Sequence, residues 1–262
     1  MPPITGVDSV VLQVSTNNTT ALRTAEKISS LVGGKLEIIK SFPIRINKDS
    51  RKVWRDTTGR KIPSTAVFIA LIHHERGQSI PLVKYGNGNG VEIHFHGLTQ
   101  YNKSEPTLND GCNQRRAILE QLLSVWIEPI RIIRLDRCID FIGQNFKSYK
   151  NGRLHRTLNK RKGTEDYNAV GGDDDCDSWL SKKYGAVVLK PTCVYYQAPK
   201  RQYTKITAYD KKEANNLSYP LIRLEVSFLS LFFRGLEILD DSNILNQAIA
   251  KTDTYILKFS VK

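Results

Sequence analysis

Chemistry first shows in one short stretch. In Val91-Glu92-Ile93-His94-Phe95-His96-Gly97 every second residue is apolar. Side chains of a strand point alternately to its two faces, so Glu92, His94 and His96 share one face and Val91, Ile93 and Phe95 the other. Neutral imidazole suits divalent transition metals and a carboxylate adds a hard oxygen donor, so this face reads as a site for Mg²⁺ or Mn²⁺. Three further stretches follow the same plan. Arg223, Glu225 and Ser227 alternate with Ile222, Leu224, Val226 and Phe228. Arg134, Asp136, Cys138 and Asp140 alternate with Leu135, Ile139 and Phe141, with Arg137 intruding on the apolar side. Lys205, Thr207, Tyr209 and Lys211 alternate with Ile206 and Ala208. Asp136 and Glu225 are therefore candidate metal ligands from neighbouring strands, and Asp140 is a further one. Each has a plain alternative: the two histidines also suit a half-exposed strand, and Asp136 also suits an ion pair with Arg134 or Arg223. Tyr209 is the candidate nucleophile, because metal and cations lower the cost of a phenolate. Lys205 and Lys211 are placed to hold a phosphate. Tyr195, Tyr196 and Tyr203 compete for the same role, and a tyrosine that only packs is the commoner case.

The elements that must position these groups read as an α+β fold: a largely antiparallel central sheet, helices on one face and the polar, catalytic face opposite. Strands are expected over 7–14, 35–46, 65–72, 81–85, 91–97, 134–141, 184–189, 192–197, 205–211, 221–228 and 254–261. A helix is expected from about 20 to 32, capped by Asn17 or Asn18 and stopped by Gly33-Gly34. Others are expected over 113–125, broken by Pro129, over 229–238, and over 243–251 behind the capping Asp240-Asp241-Ser242. The basic, polar stretch 47–61 around Trp54 reads as an exposed hairpin or loop, its Trp either stacking on a base or anchoring the loop. Gly86 to Gly90 is a turn between strands, not a nucleotide cradle, and the chain has no Walker-type loop or Rossmann fingerprint. One domain spans 1–262, with a mobile excursion at about 147–183.

The chain has 262 residues, 40% of them apolar, enough for a real core, and a formal net charge of +13. That charge favours an acidic partner, most simply nucleic acid. The excursion carries a basic block with Arg153, Arg156, Lys160, Arg161 and Lys162, then an acidic run, Asp173 to Asp175 and Asp177. With Arg115 and Arg116 at a helix start, Lys200 and Arg201 in a turn, and Arg223 on its strand, these basic residues are the expected contacts to a phosphate backbone. No apolar run approaches the roughly 18 residues of a membrane span, no signal peptide is evident, and no basic amphipathic helix suggests a membrane surface. Cys112, Cys138, Cys176 and Cys193 have no Cys-x-x-Cys spacing and read as cytosolic thiols; the expected location is cytoplasmic.

In their order along the chain these motifs resemble those of rolling-circle replication initiators, the plasmid Rep and filamentous-phage proteins of the HUH-type endonuclease class. The likeness rests on the opening strand Val7-Asp8-Ser9-Val10-Val11-Leu12, the strand Val91 to Gly97 with His94-Phe95-His96, and Arg134-Leu135-Asp136-Arg137-Cys138-Ile139-Asp140. It continues with Tyr209-Asp210-Lys211 and Arg223-Leu224-Glu225. Each motif is short; their order carries the resemblance, which spans most of the chain. A two-tyrosine helix motif is absent, which favours a single nucleophile. The resemblance implies binding of single-stranded or hairpin origin DNA and metal-dependent nicking through a 5′-phosphotyrosine. It also implies a free 3′-OH for a host polymerase, later rejoining of the ends, and recruitment of a host helicase, since no helicase motif is present. The oligomeric state stays open, a homodimer included. Two other readings compete: a non-catalytic DNA-binding regulator of a plasmid or phage, and a metal-dependent nuclease without a covalent step.

Overall fold

The computed structural model describes residues 2–15, 20–41, 48–58, 62–75, 78–86, 88, 90–144, 168–170, 193–197, 203–234, 236 and 243–256. The alternating stretches form strands: β1 (Ile4–Ser15), β2 (Gly34–Ser41), β3 (Ala66–His74), β4 (Ser79–Tyr85), β5 (Gly90–His96), β6 (Ile130–Ile142), β7 (Asn168–Val170), β8 (Cys193–Gln197), β9 (Tyr203–Asp210) and β10 (Leu221–Leu229). They make one sheet in the order β2-β3-β4-β5-β1-β6-β10-β9-β8-β7. Every ladder among the described residues is antiparallel. The fold is thus α+β on an antiparallel sheet, as the patterning predicts. β1, nearest the N-terminus, lies between β5 and β6, so the strands bearing His94 and Asp136 flank it. Gly90 opens β5 where a Cβ would run into the Val14 carbonyl, so only glycine permits that approach of the two strands.

The helices are α1 (Ala21–Val32), α2 (Lys48–Thr58), α3 (Asp110–Val125), α4 (Lys211–Asn215) and α5 (Ile244–Ile256). α1 buries Ala25, Ile28 and Val32, α3 buries Ile118, Leu119 and Leu122, and α5 buries Ala248 and Ile256, all in the core over Val10, Leu12, Ile93, Phe95, Leu135, Leu224 and Val226. Burial of these side chains against the sheet is the main stabilising term, at roughly 25 cal/mol per Å² of apolar surface. Gly33 ends α1 in the left-handed region, φ 67°, with its N–H on the Ser29 and Ser30 carbonyls. No helix among the described residues is long and apolar enough to cross a membrane.

Several expectations need correction. Thr20, not Asn17 or Asn18, caps α1, its hydroxyl accepting from the Arg23 N–H. α3 begins earlier than the apolar periodicity suggests, because Asn109 caps it and accepts from the Cys112 N–H. The strand through Tyr209 stops at Asp210: that carboxylate accepts from the Glu213 N–H and starts α4, so Lys211 is helical. Residues 230–233 form only a 3₁₀ turn (Ser230–Phe233) instead of the start of a helix over 229–238. α5 runs through 254–256, where a final strand is expected. Arg137, the apparent break in the apolar face, is buried there because α5 receives it: Nη1 donates to the Ile249 carbonyl at 3.0 Å and to Thr252 Oγ1 at 2.7 Å, and Nη2 meets Asp253 at 2.7 Å. The strand over 184–189, the Asp240–Ser242 cap and most of the excursion at 147–183 lie outside the described residues; within the excursion, β7 pairs with β8.

The largest correction is α2, where the sequence suggests an exposed hairpin or loop. Its Trp54 is 4% exposed and packs with Ile39, Ala66, Ile69, Leu71 and Val83 on the far face of β2, β3 and β4. Helices therefore cover both faces of the sheet, and α2 lies on the side that carries the polar groups, since Val83 pairs with Glu92 and shares its face. Trp54 anchors α2 and is not available to stack on a base. Trp54→Ala is expected to lower the unfolding free energy by about 3 kcal/mol, as for large-to-small changes in a core; a urea midpoint unchanged from wild type would refute the anchoring role.

Candidate functional site

Register alone assembles the polar face. His96 pairs with Ser9, Ser9 with Asp136, Asp136 with Ser227, and Ser227 with Lys205, one line across β5, β1, β6, β10 and β9. A second line runs Asp140, Arg223, Tyr209. Glu225, paired with Cys138 and Thr207, lies in the row between them. β1 slips register between Val7 and Ser9. That irregularity leaves Asp8 without a β6 partner, a bulge that re-aims its side chain.

A cavity of about 320 Å³ opens on this face, lined by Asp8, Ser9, Thr58, His94, His96, Arg115, Arg134, Asp136 and Glu225, with Ser79, Ile80, Pro81 and Phe95. His94 Nε2 lies 3.2 Å from Glu92 Oε2, and the two imidazole rings are 5.6 Å apart, centre to centre. Among the described residues, no group of three or more His, Cys, Asp or Glu side chains is close enough to hold a metal ion. The donor chemistry at Glu92 and His94 nevertheless fits a divalent cation: two ligand atoms sharing one ion stand about 3 Å apart. His96 adds a second imidazole from the same strand face.

Asp136 is committed elsewhere. Arg134 Nε donates to its Oδ1 at 2.8 Å and Nη2 lies 2.8 Å from its Oδ2, where the Ser9 hydroxyl also donates. The ion-pair alternative for Asp136 is the one realised, although its carboxylate still lines the cavity. Arg134 keeps its proton more tightly than usual: burial opposes its charge, but Asp136 and then Glu225 and Asp8 outweigh that. Asp140 is fully buried and held bidentately by Arg223, both bonds 2.7 Å, and it accepts from the Tyr101 hydroxyl at 2.8 Å. That geometry removes Asp140 from the candidate ligands.

The expected DNA contact at Arg223 is likewise corrected. Its guanidinium has no exposed surface; beyond Asp140 it donates to the Thr99 carbonyl at 2.8 Å and to Asp8 Oδ1. Arg116 binds the Leu98 carbonyl at 2.5 Å and Thr99 Oγ1 at 2.9 Å, fastening α3 to the loop after β5. Arg115 lines the cavity, and burial lowers its pKa below the usual arginine value. A desolvated guanidinium beside an open cavity is a good phosphate partner. Arg153, Arg156, Lys160, Arg161, Lys162, Lys200 and Arg201 lie outside the described residues, and of Lys205 only the register is described.

Tyr209 is half-buried, cross-strand from Arg223, and is not among the residues lining the cavity. Burial holds its hydroxyl well above the usual tyrosine value; Arg223 opposes this, and Glu225, Asp8 and Asp140 add to it. Lys211 is 1% exposed, 4.0 Å from Asp8 Oδ1 and 3.5 Å from the Thr99 carbonyl. Burial, then Arg223, brings its pKa down to about 8 from the usual 10.5. Between those values the unfolded chain holds a proton that the folded chain has lost, so this residue makes stability rise with pH in that window. The unfolding free energy of wild type minus that of Lys211→Met should therefore climb between about pH 8 and 10, by at most about 1.4 kcal/mol per unit. A difference flat in pH would show that Lys211 is not desolvated.

Asp8 is the group sequence reasoning missed. It touches the cavity and, through Arg223 and Lys211, the Tyr209 row. The signal was present: Asp8-Ser9 are two adjacent polar residues in an otherwise largely apolar strand, which breaks a period-two pattern as a bulge does.

No family model matches the chain, and neither does any curated protein. Among solved structures it is similar to a rolling-circle replication initiator protein from Geobacillus stearothermophilus, with 13% identity and a TM-score of 0.47, over 96% of this chain and 80% of that one. A likeness at this distance assigns no activity.

Proposed function

We propose that the chain initiates rolling-circle replication by nicking and rejoining single-stranded or hairpin origin DNA through a phosphotyrosine. The observation that carries this reading is convergence. Motifs from β1, β5, β6, β9 and β10, far apart in sequence, meet on one sheet face, with His94, His96, Asp136 and Glu225 around one cavity.

Glu92 and His94, 3.2 Å apart, would be the first ligands of a divalent cation, Mg²⁺ or Mn²⁺, with His96 on the same strand face and Glu225 on another strand of the cavity; such an ion would supply polarisation of the scissile phosphate. Arg115 neutralises phosphate charge at the cavity. Arg223, fixed by Asp140, Asp8 and Thr99, holds the strand position opposite Tyr209. The Tyr209 hydroxyl oxygen attacks phosphorus, loses its proton, and the bond from phosphorus to the 3′ oxygen breaks. The 5′ end stays on the enzyme and the 3′-OH is released. Attack by a 3′-OH on the phosphotyrosine reverses the exchange and rejoins the strand. One phosphodiester replaces another, so the bond energy is conserved. The released 3′-OH suits a host polymerase, with a host helicase unwinding ahead.

The test is incubation with Mn²⁺ and a labelled oligonucleotide from the DNA flanking the gene, resolved on a denaturing gel. A retarded, protease-sensitive band that EDTA abolishes supports the proposal. Cleavage with no such band indicates a nuclease without a covalent step, and binding with neither indicates a regulator.

A further inference from the structure

α2 takes no part in the nicking chemistry, yet it ends at the cavity where that chemistry is placed. Its inner face packs on the small core against β2, β3 and β4, with Trp54 buried and Val53 partly buried. Its last residue, Thr58, lines the cavity and donates to the Trp54 carbonyl at 2.7 Å. Lys48, Arg51 and Lys52 stand at i, i+3 and i+4, so they share one helix face, and all three are exposed. With a rise of 1.5 Å per residue, Lys52 and Arg51 lie about 9–10 Å from Thr58 along the axis and Lys48 about 15 Å. That spacing is one to three nucleotides of single strand. Of the two guanidinium groups at the cavity, Arg134 is held bidentately by Asp136, which leaves Arg115 as the cation for a phosphate there. Arg115 and Thr58 line the same cavity, and the exposed basic residues Lys52 and Arg51 follow within about two helical turns of Thr58.

We infer that this exposed basic face of α2 holds the sugar-phosphate backbone of single-stranded DNA where the strand leaves the cavity. The inference rests on the proposed DNA substrate, and it assigns a strand path that the motifs on the sheet do not. Asp49 is exposed on the same turn and opposes one of the three charges, so the net track is two positive. An anionic membrane is the weaker partner, because the apolar residues Val53 and Trp54 face the protein and not the outer surface.

The test measures binding in EDTA, without nicking, as a function of salt. Wild type should bind a 25-nucleotide strand with a steeper salt dependence than a dinucleotide, which is too short to reach from the cavity across all three basic residues. In Lys48→Gln/Arg51→Gln/Lys52→Gln the slope for the long strand should fall by about 2, some 0.7 per lost phosphate contact, while short-strand binding stays unchanged. The charge-preserving Lys48→Arg/Lys52→Arg should keep the wild-type slope, which separates charge from folding. An unchanged slope in the triple variant overturns the inference, and so does loss of binding to phosphatidylserine vesicles with the oligonucleotide slope intact. A reduced slope in a protein that never nicks would uphold the strand path while the nicking proposal falls; an unchanged slope in a protein that nicks would do the reverse.

Discussion

Replacing Arg223 by Met is expected to lower the unfolding free energy by about 3–5 kcal/mol, a large share of the stability of an ordinary domain. Arg223 and Asp140 are both fully buried, joined by two 2.7 Å bonds, and Tyr101 shares the same carboxylate. Removing the guanidinium leaves a buried carboxylate with only neutral donors, the Tyr101 hydroxyl and the weak Cys138 thiol, and the Thr99 carbonyl and Asp8 each lose a partner. The desolvation of Asp140 is then uncompensated. The triple variant Arg223→Met/Asp140→Leu/Tyr101→Phe removes the polar atoms together and should regain most of the loss, because apolar replacement of a whole buried pair is often neutral or stabilising. Urea unfolding of wild type, single and triple variants checks this. If the single variant lies within about 1 kcal/mol of wild type, the cluster does not stabilise the fold. The network also explains why a cation next to the proposed nucleophile is not a DNA contact: it sets the spacing between β10, β6 and the Asp8 bulge.

How much of this was legible in the sequence depends on whether one residue's neighbours decide its role. Period-two alternation depends only on which side of a sheet is buried, so β1, β5, β6, β9 and β10 and the faces of His94, Asp136 and Glu225 read correctly. Partner choice does not follow from alternation. Asp136 and Asp140 look alike along β6, yet register sets Asp136 opposite Ser9 and Asp140 opposite Arg223, while Arg134 on the same strand completes the first set and Tyr101 from the loop after β5 the second. α2 was illegible for another reason. Its basic outer face outweighs a single Trp, and burial of Trp54 depends on β3 and β4, which come later in the chain. Arg137 looked like a flaw in an apolar strand because its partners, Ile249, Thr252 and Asp253, lie more than a hundred residues away.

Tyr209→Phe is expected to eliminate the covalent DNA adduct, at least about a 10³-fold loss, the scale on which deleting a nucleophile lowers turnover. The change removes one oxygen and keeps the ring, so strand β9 and its pairing with Arg223 should persist; an unchanged urea midpoint tests that separately. The phenol's environment gives the prediction its force. Burial and the charges of Glu225, Asp8 and Asp140 hold the hydroxyl protonated, while Arg223 alone among the main influences favours phenolate. In the proposed reaction such a tyrosine would be a poor spontaneous nucleophile and would become reactive only with substrate and a cation in the cavity one row away. The variant should therefore still bind the oligonucleotide in EDTA with wild-type affinity and lose only the Mn²⁺-dependent band. If the band survives, the nucleophile is another tyrosine. Tyr195 is then the first to replace, because it pairs with Thr207, which pairs with Glu225, whereas Tyr196 pairs with Ile206 and Tyr203 with Phe228 in the apolar rows. A surviving band in Tyr209→Phe that disappears in Tyr195→Phe would keep the proposed reaction and move it one row closer to the two histidines.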